Sequence, residues 1–504
     1  MKKINKIVIS LGCLTTIITS CEPEFNQPLE DTPIAEDIVQ SSGDADFSKF
    51  IALGASITAG YSDGALFIDG QDVAFPKLIA EQMQAAGGGT FTTPYMNDNI
   101  GGFAGVYEDE DNTIPTFASR FVYNFAAGVP ERINNTPAND ITASIAGNYS
   151  NIGIPGAKSF HALAAGYGNL EGVTLGLANP YFARMATSST ASMLEDATSQ
   201  NPTFVSVWLG GNDILSYASY GGLGVYQDSP LVSPSEYGDQ DITNPLQYQG
   251  IMQAVVSNLV AAGANGVVLN IPSVTDLPFF TAVNHDVIPM DAATATATNT
   301  AYEAYNAGLL AMQTNGFIDA DEVEKRTINF EASTSNAVVI TDESLTDLTA
   351  YGLPSMRQAT SEDSMLLTAS SIIGTLKDDT DPTSVYGVGE PLGDEFVLTA
   401  DEQELVAMAT ESYNTILEDL VANYDGIMLF DANTIVSELK ESGINYGEGM
   451  LYGVIGSAFS LDGIHLTPRG NAVFANKMIE AINDYFGSTL QDVDPTIYNT
   501  GTLK

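Results

Sequence analysis

Cysteine is almost missing from this chain: its 504 residues hold two, Cys13 and Cys21. Cys13 falls inside an amino-terminal apolar stretch that reads as a removable export signal. The exported chain then carries a single thiol, and an internal disulfide is excluded. Basic residues are scarce as well, with 17 Lys+Arg against 63 Asp+Glu and a net charge of −46. Such a surface repels phosphate backbones and anionic lipid headgroups, which excludes nucleic acid as a partner. Long apolar runs are lacking beyond Ile7–Ile18, which is too short to span a bilayer. Histidine is limited to His161, His285 and His465, so any chemistry that needs an imidazole has three candidates.

What is present begins at the amino end. Three lysines precede the apolar stretch, and it closes on Ile18-Thr19-Ser20-Cys21. That tetrapeptide resembles the lipobox of bacterial lipoproteins, which implies residues 1–20 as signal peptide and Cys21 as the lipidated first residue. Residue 22 is Glu and not Asp, which favours the outer membrane. The lipid would be the only membrane attachment. Residues 21–46 are acidic, carry Pro-punctuated turns and lack apolar periodicity, so they read as a tether.

From residue 47 short apolar runs alternate with helical patterns. FSKFIALG (47–54), FVSVWLGG (204–211), GVVLNIP (266–272) and GIMLFDA (426–432) predict buried parallel strands. Segments 74–87, 245–263, 399–424 and 468–486 carry helical spacing. In the last of these Ala475, Met478, Ile479, Ile482, Tyr485 and Phe486 share one face, and Thr467-Pro468 forms a natural start. The alternation argues for a parallel α/β fold over 47–487, followed by a tail at 488–504. Irregular stretches at about 88–150, 216–244 and 281–398 read as insertions over one end of the sheet. Tyr95, Phe103, Tyr107, Phe121 and Tyr123 in the first of them could stack on sugars or line an acyl groove.

Ser56 follows the first strand in GASITAG, where an α/β sheet presents its sites. A hydroxyl needs a base to become a nucleophile. His465, in DGIHLTPRG, has Asp462 three residues earlier, a spacing that lets a carboxylate orient the ring. Two further stretches offer donors to a developing oxyanion: Gly156 in NIGIPG, at the expected start of a helix, and Asn212 in GGND. Gly60-Tyr61-Ser62-Asp63-Gly64 also matches G-x-S-x-G, but Ser62 lies too far past the strand for a nucleophile elbow.

The four ordered blocks GASITAG, NIGIPG, GGND and DGIH resemble the SGNH or GDSL-type hydrolases. The resemblance implies a three-layer α/β sandwich with a flavodoxin-like parallel sheet, helices on both faces and long loop insertions. It implies Ser56 as nucleophile, His465 as base and then acid, and Asp462 as the orienting carboxylate. The Ser56 and Gly156 backbone N–H groups and the Asn212 side chain would form the oxyanion hole. In the family an Asp precedes the serine; here Ala55 stands in its place. The expected activity is cleavage of a small-molecule, lipid or glycan ester through an acyl-enzyme, without cofactor or metal. The alternatives are a sugar O-acetyl esterase, or a non-catalytic lipoprotein that keeps the fold and binds a lipid, glycan or outer-membrane partner. The acidic runs YEDEDN (107–112), DADEVE (319–324) and KDDTDP (377–382) lack the spacing of an EF-hand and read as solvated faces.

Overall fold

The computed structural model describes residues 40–105 and 117–501. The signal segment, Cys21, most of the tether, Tyr107 and the YEDEDN run lie outside those residues.

Five strands form the central sheet: β1 (Phe50–Gly54), β2 (Asn151–Gly153), β3 (Phe204–Trp208), β4 (Asn265–Leu269) and β5 (Ile427–Phe430). All pair in parallel, with Ala52 of β1 opposite Asn151 on one side and Ser206 on the other. The spatial order is β5-β4-β3-β1-β2, the 2-1-3-4-5 arrangement of doubly wound flavodoxin-like sheets. Every residue of β1 and β3 is buried, which is why these runs are apolar without alternation.

Helices cover both faces. Those labelled here are α1 (Ser56–Ala59), α2 (Phe75–Ala85), α3 (Gly211–Ala218), α4 (Pro245–Ala261), α5 (Ala292–Thr314), α6 (Ala400–Val421), α7 (Ala432–Glu441) and α8 (Pro468–Phe486). α2 packs with α8 and α4 with α6, giving a three-layer α/β sandwich. Between the sheet and α8, Trp208 stacks on Phe474 with ring centroids 5.1 Å apart. In the α4–α6 layer Tyr248 stacks on Tyr413 at 3.9 Å. α8 starts as its sequence predicts, with Thr467 Oγ1 accepting from the Gly470 N–H at 3.0 Å and Pro468 in the first turn. On its apolar face Tyr485 departs from expectation: it is 50% exposed, while Phe486 turns inward.

The folded body runs past both expected boundaries. Residues 40–46 are not free tether. Ser41 and Thr489 exchange two hydrogen bonds, the Asp44 N–H donates to the Phe486 carbonyl at 2.7 Å, and Ala45 is buried. Nor is 488–501 a loose tail. Leu490 and Val493 are buried, and the Asn476 and Asn483 amides bind their backbone. These polar clasps sit in segments whose composition resembles a linker, so the hydrophobic pattern does not reveal them.

The 281–398 insertion builds a second hydrophobic core around Leu309, Ile328, Phe330 and Val338. The alternating Ala-Thr tract at 293–300 forms the first turns of α5, capped by the Asp291 side chain. Arg357 ties this satellite together, its buried guanidinium reaching Asp342 at 2.5 Å and Asp363 at 2.6 Å. DADEVE supplies a cap and a helix, with Asp319 accepting from the Glu322 N–H at 2.9 Å. The KDDTDP acids are engaged locally, Asp378 by Thr380 and Asp381 by Thr383. No helix among the described residues is long and apolar enough to cross a membrane.

Candidate active site

The site forms at the carboxyl edge of the sheet, where parallel strands release their loops together. β1 ends at Gly54, and Ser56 opens the single turn of α1 two residues later. β2 lies so close beneath that turn that a Cβ at Gly153 would be 2.3 Å from the Ala59 nitrogen. Glycine there lets α1 rest on the strand end. From the opposite end of the chain, the loop before α8 brings His465 to it. Ser56 Oγ and His465 Nε2 are 2.8 Å apart, and His465 Nδ1 lies 2.9 Å from Asp462 Oδ2. The three predicted residues therefore meet across a sequence separation of 409.

The hydrogen-bonding of Asp462 assigns the tautomer. Its Oδ1 accepts from the Ser460 hydroxyl and from the Ile464 and His465 N–H groups; its Oδ2 accepts from the Gly64 N–H at 2.8 Å and faces the ring. Burial pushes the Asp462 carboxyl up, but the His465 charge, its ring N–H and these backbone donors outweigh burial and hold it at about 2. An ionised carboxylate only accepts, so Nδ1 carries the proton and Nε2 turns its lone pair to the serine. That is the arrangement a general base requires.

The G-x-S-x-G segment supports this loop, and its serine hydroxyl is committed to that task. Ser62 is buried, 5% exposed, and donates to the Leu466 carbonyl at 3.1 Å. The Asp63 N–H donates to Ser460 Oγ, and Asp63 Oδ1 accepts from the Leu461 N–H at 3.0 Å. Residues 62–64 thus clasp 460–466 from the other end of the chain. Tyr61 lays its ring against the imidazole, with centroids 4.7 Å apart. Burial first, and then the Asp462 charge, pushes the Tyr61 phenol up, which keeps it neutral. Arg132 is held by the Ser119 carbonyl and lies over Phe121 at 4.0 Å. Sequence reasoning passed over Tyr61, Asp63 and Ser460, because their role consists of contacts between segments about 400 residues apart.

Asn212 lies in the first turn of α3, at the end of β3. Its Nδ2 donates to the Ala157 carbonyl at 2.9 Å, which joins the GGND and NIGIPG blocks. Buried Asp213 completes the joint by accepting from the Ser159 N–H at 2.7 Å and the Ser159 hydroxyl at 2.6 Å. Burial pushes this carboxyl up, and the Ser159 bonds oppose it. Gly156 is not at a helix start as expected. It sits in an exposed turn at φ 79°, three residues ahead of a 3-10 turn at Ser159–Leu163. It directly precedes Ala157, whose carbonyl Asn212 holds.

The other histidines are elsewhere. His161 stacks on Tyr167 at 4.2 Å and accepts the Lys158 N–H through Nδ1. His285 is half-buried at the rim of the satellite. Of the aromatics proposed for sugar stacking, Phe103 is 2% exposed and packs on Phe117 and Tyr181, so it offers no face to a ligand.

Beside Ser56 a cavity runs inward between α3, α7, α8 and a short hairpin at Ile444–Leu451. Its volume is about 90 Å³, several times the ~10–15 Å³ that one water needs. Ser56, Thr58 and Asn212 are its polar side chains, apart from the Trp208 indole, whose N–H is bound to the Asn270 carbonyl. Its other walls include Leu215, Ile271, Leu277, Leu439, Ile444 and Val473; Gly156 is not one of them. No protein-family model matches this chain, and no curated protein or solved structure matches it.

Proposed function

We propose that this protein is a serine hydrolase of SGNH type that cleaves carboxylic esters with an apolar acyl group, tethered to a bacterial membrane through lipid on Cys21. The 2.8 Å contact between Ser56 Oγ and a base whose tautomer is fixed by an ionised Asp462 carries the reading. His465 takes the Ser56 proton as the hydroxyl attacks the ester carbonyl. The negative oxygen is stabilised by the Ser56 and Gly156 N–H groups and by the second N–H of Asn212. His465 then protonates the leaving alcohol, and water, deprotonated by the same ring, releases the acid. Ala55 does not interrupt these steps, because Asp462 already supplies the carboxylate and the 62–64 clasp braces its loop.

The apolar cavity opening beside Ser56 favours an acyl chain over acetate. An acetyl group would leave those side chains facing water, whereas each buried methylene adds about 0.8 kcal/mol. A p-nitrophenyl ester series from acetate to decanoate tests this. The expected result is kcat/KM at least tenfold higher for the optimal chain than for acetate; a maximum at acetate, with acetylated sugars preferred, contradicts it.

A further inference from the structure

At the joint between the two hydrophobic cores, three carboxylates from distant segments face one another: Glu343, Asp394 and Glu402. One ligand oxygen from each lies within 4.8 Å of the other two. Oxygens on opposite sides of a calcium ion, each at ~2.4 Å, are separated by about this distance. Glu402 is only 7% exposed. Its Oε2 accepts from the Thr399 N–H and hydroxyl as part of the α6 cap, while its Oε1 has no hydrogen-bond partner. Asp394 Oδ1 is likewise buried and unpartnered. A buried carboxylate oxygen without a donor is costly, and a bound cation removes that cost.

The backbone around these acids is shaped to leave room for them. Gly221 and Gly222, just past the end of α3, both have positive φ, 62° and 78°. A Cβ on Gly222 would lie 2.1 Å from Glu402 Oε1, and one on Gly221 would lie 1.7 Å from the Asp394 carbonyl oxygen. Gly222 thus brings the chain against the Glu402 carboxylate and Gly221 against the Asp394 backbone, where a side chain would collide. Tyr217 of α3 is buried nearby; burial first, and then Glu402, Glu343 and Asp394, pushes its phenol up.

We propose that Glu343, Asp394 and Glu402 bind one calcium ion, which fastens the 281–398 satellite to α6 of the main body. The donor set is all oxygen and highly anionic, as a hard divalent cation requires, and water completes the shell on the side of exposed Glu343. Burial, followed by the neighbouring carboxylates, raises both Asp394 and Glu402, with the Thr399 bonds opposing the rise at Glu402. The ion would offset that repulsion. The site stands apart from Ser56 and does not depend on the hydrolase reading. α3 connects the two places, with Asn212 in its first turn and the glycine pair beyond its last.

Terbium, which replaces calcium on oxygen ligands and emits when excited through a nearby tyrosine, tests this on the EDTA-treated full chain. The expected result is saturable tyrosine-sensitised emission that calcium displaces, reduced at least fivefold in Glu343→Gln and in Tyr217→Phe. Calcium should also raise the melting temperature of the parent by about 3 °C, and leave Glu343→Gln unmoved. Glu402→Gln removes the α6 cap and can unfold the chain, so the exposed Glu343 is the deciding position. Emission that persists in Glu343→Gln would place the ion elsewhere on the acidic surface and overturn the proposal. A parent melting temperature indifferent to calcium would also overturn it, leaving carboxyls that share a proton.

Discussion

The Asn212 side-chain amide has two N–H groups, and one is held by the Ala157 carbonyl at 2.9 Å. That bond fixes the plane of the amide and aims the remaining N–H, which would preorganise the oxyanion contact proposed for it. Replacing Asn212 by Ala should lower kcat by about 10²–10³ with little change in KM. Ser62 is the instructive contrast. Its hydroxyl is committed to the Leu466 carbonyl, so Ser62→Ala should cost about 1 kcal/mol of stability and change kcat by less than tenfold. Steady-state kinetics and urea unfolding of the two variants check both statements. Equal kinetic losses would mean that the G-x-S-x-G serine takes part in the chemistry. That Ser56, Asp462 and His465 would meet was legible only through the four ordered blocks that resemble the SGNH hydrolases, because a strand-end serine or a three-residue Asp–His spacing alone is an ordinary feature. The roles of Asp63 and Ser460 were not legible, because a cross-loop hydrogen bond leaves no local periodicity.

At the scale of elements, the loop from Gly156 to Leu163 is pinned from one side by Asp213 and from the other by a neutral histidine. Burial first, and then the Lys158 charge, lowers the His161 imidazole to about 4. The unfolded chain, at about 6.5, binds more protons between those values. The stabilising contribution of neutral His161 is therefore complete above pH 6.5 and falls away as the pH drops towards 4, by about 3 kcal/mol in all. Urea unfolding of the parent and His161→Gln at pH 7, 5.5 and 4 measures it: the parent's advantage should shrink with acid, and a constant gap would contradict the assignment. Among the strands, β1, β3, β4 and β5 could be read from the sequence because strands buried on both faces are uninterrupted apolar runs. β2 could not, since Asn151–Gly153 is three residues long and has one apolar side chain. Helices α2, α4, α6 and α8 were legible within a few residues, their ends marked by Pro, Thr and Gly.

For the whole molecule, the parallel sheet does the positioning. Three loops leave its carboxyl edge carrying Ser56, the Gly156 turn and Asn212, and the segment before α8 closes on them with His465. The extent of the folded body was harder to see. Residues 40–46 and 488–501 join it through backbone clasps, and the 281–398 satellite folds around a buried Arg357 pair network. Composition marks such segments as loops because their cohesion comes from specific polar contacts and a small second core. The proposed chemistry requires a serine and a histidine 409 positions apart to act as one reactive pair. Intact-protein mass spectrometry after treatment with a fluorophosphonate tests it most directly. The parent should gain one phosphonate adduct, mapped to Ser56, that is absent in Ser56→Ala and at least 10³-fold slower to form in His465→Ala; a folded parent that gains no adduct, or gains it on another serine, would contradict the account.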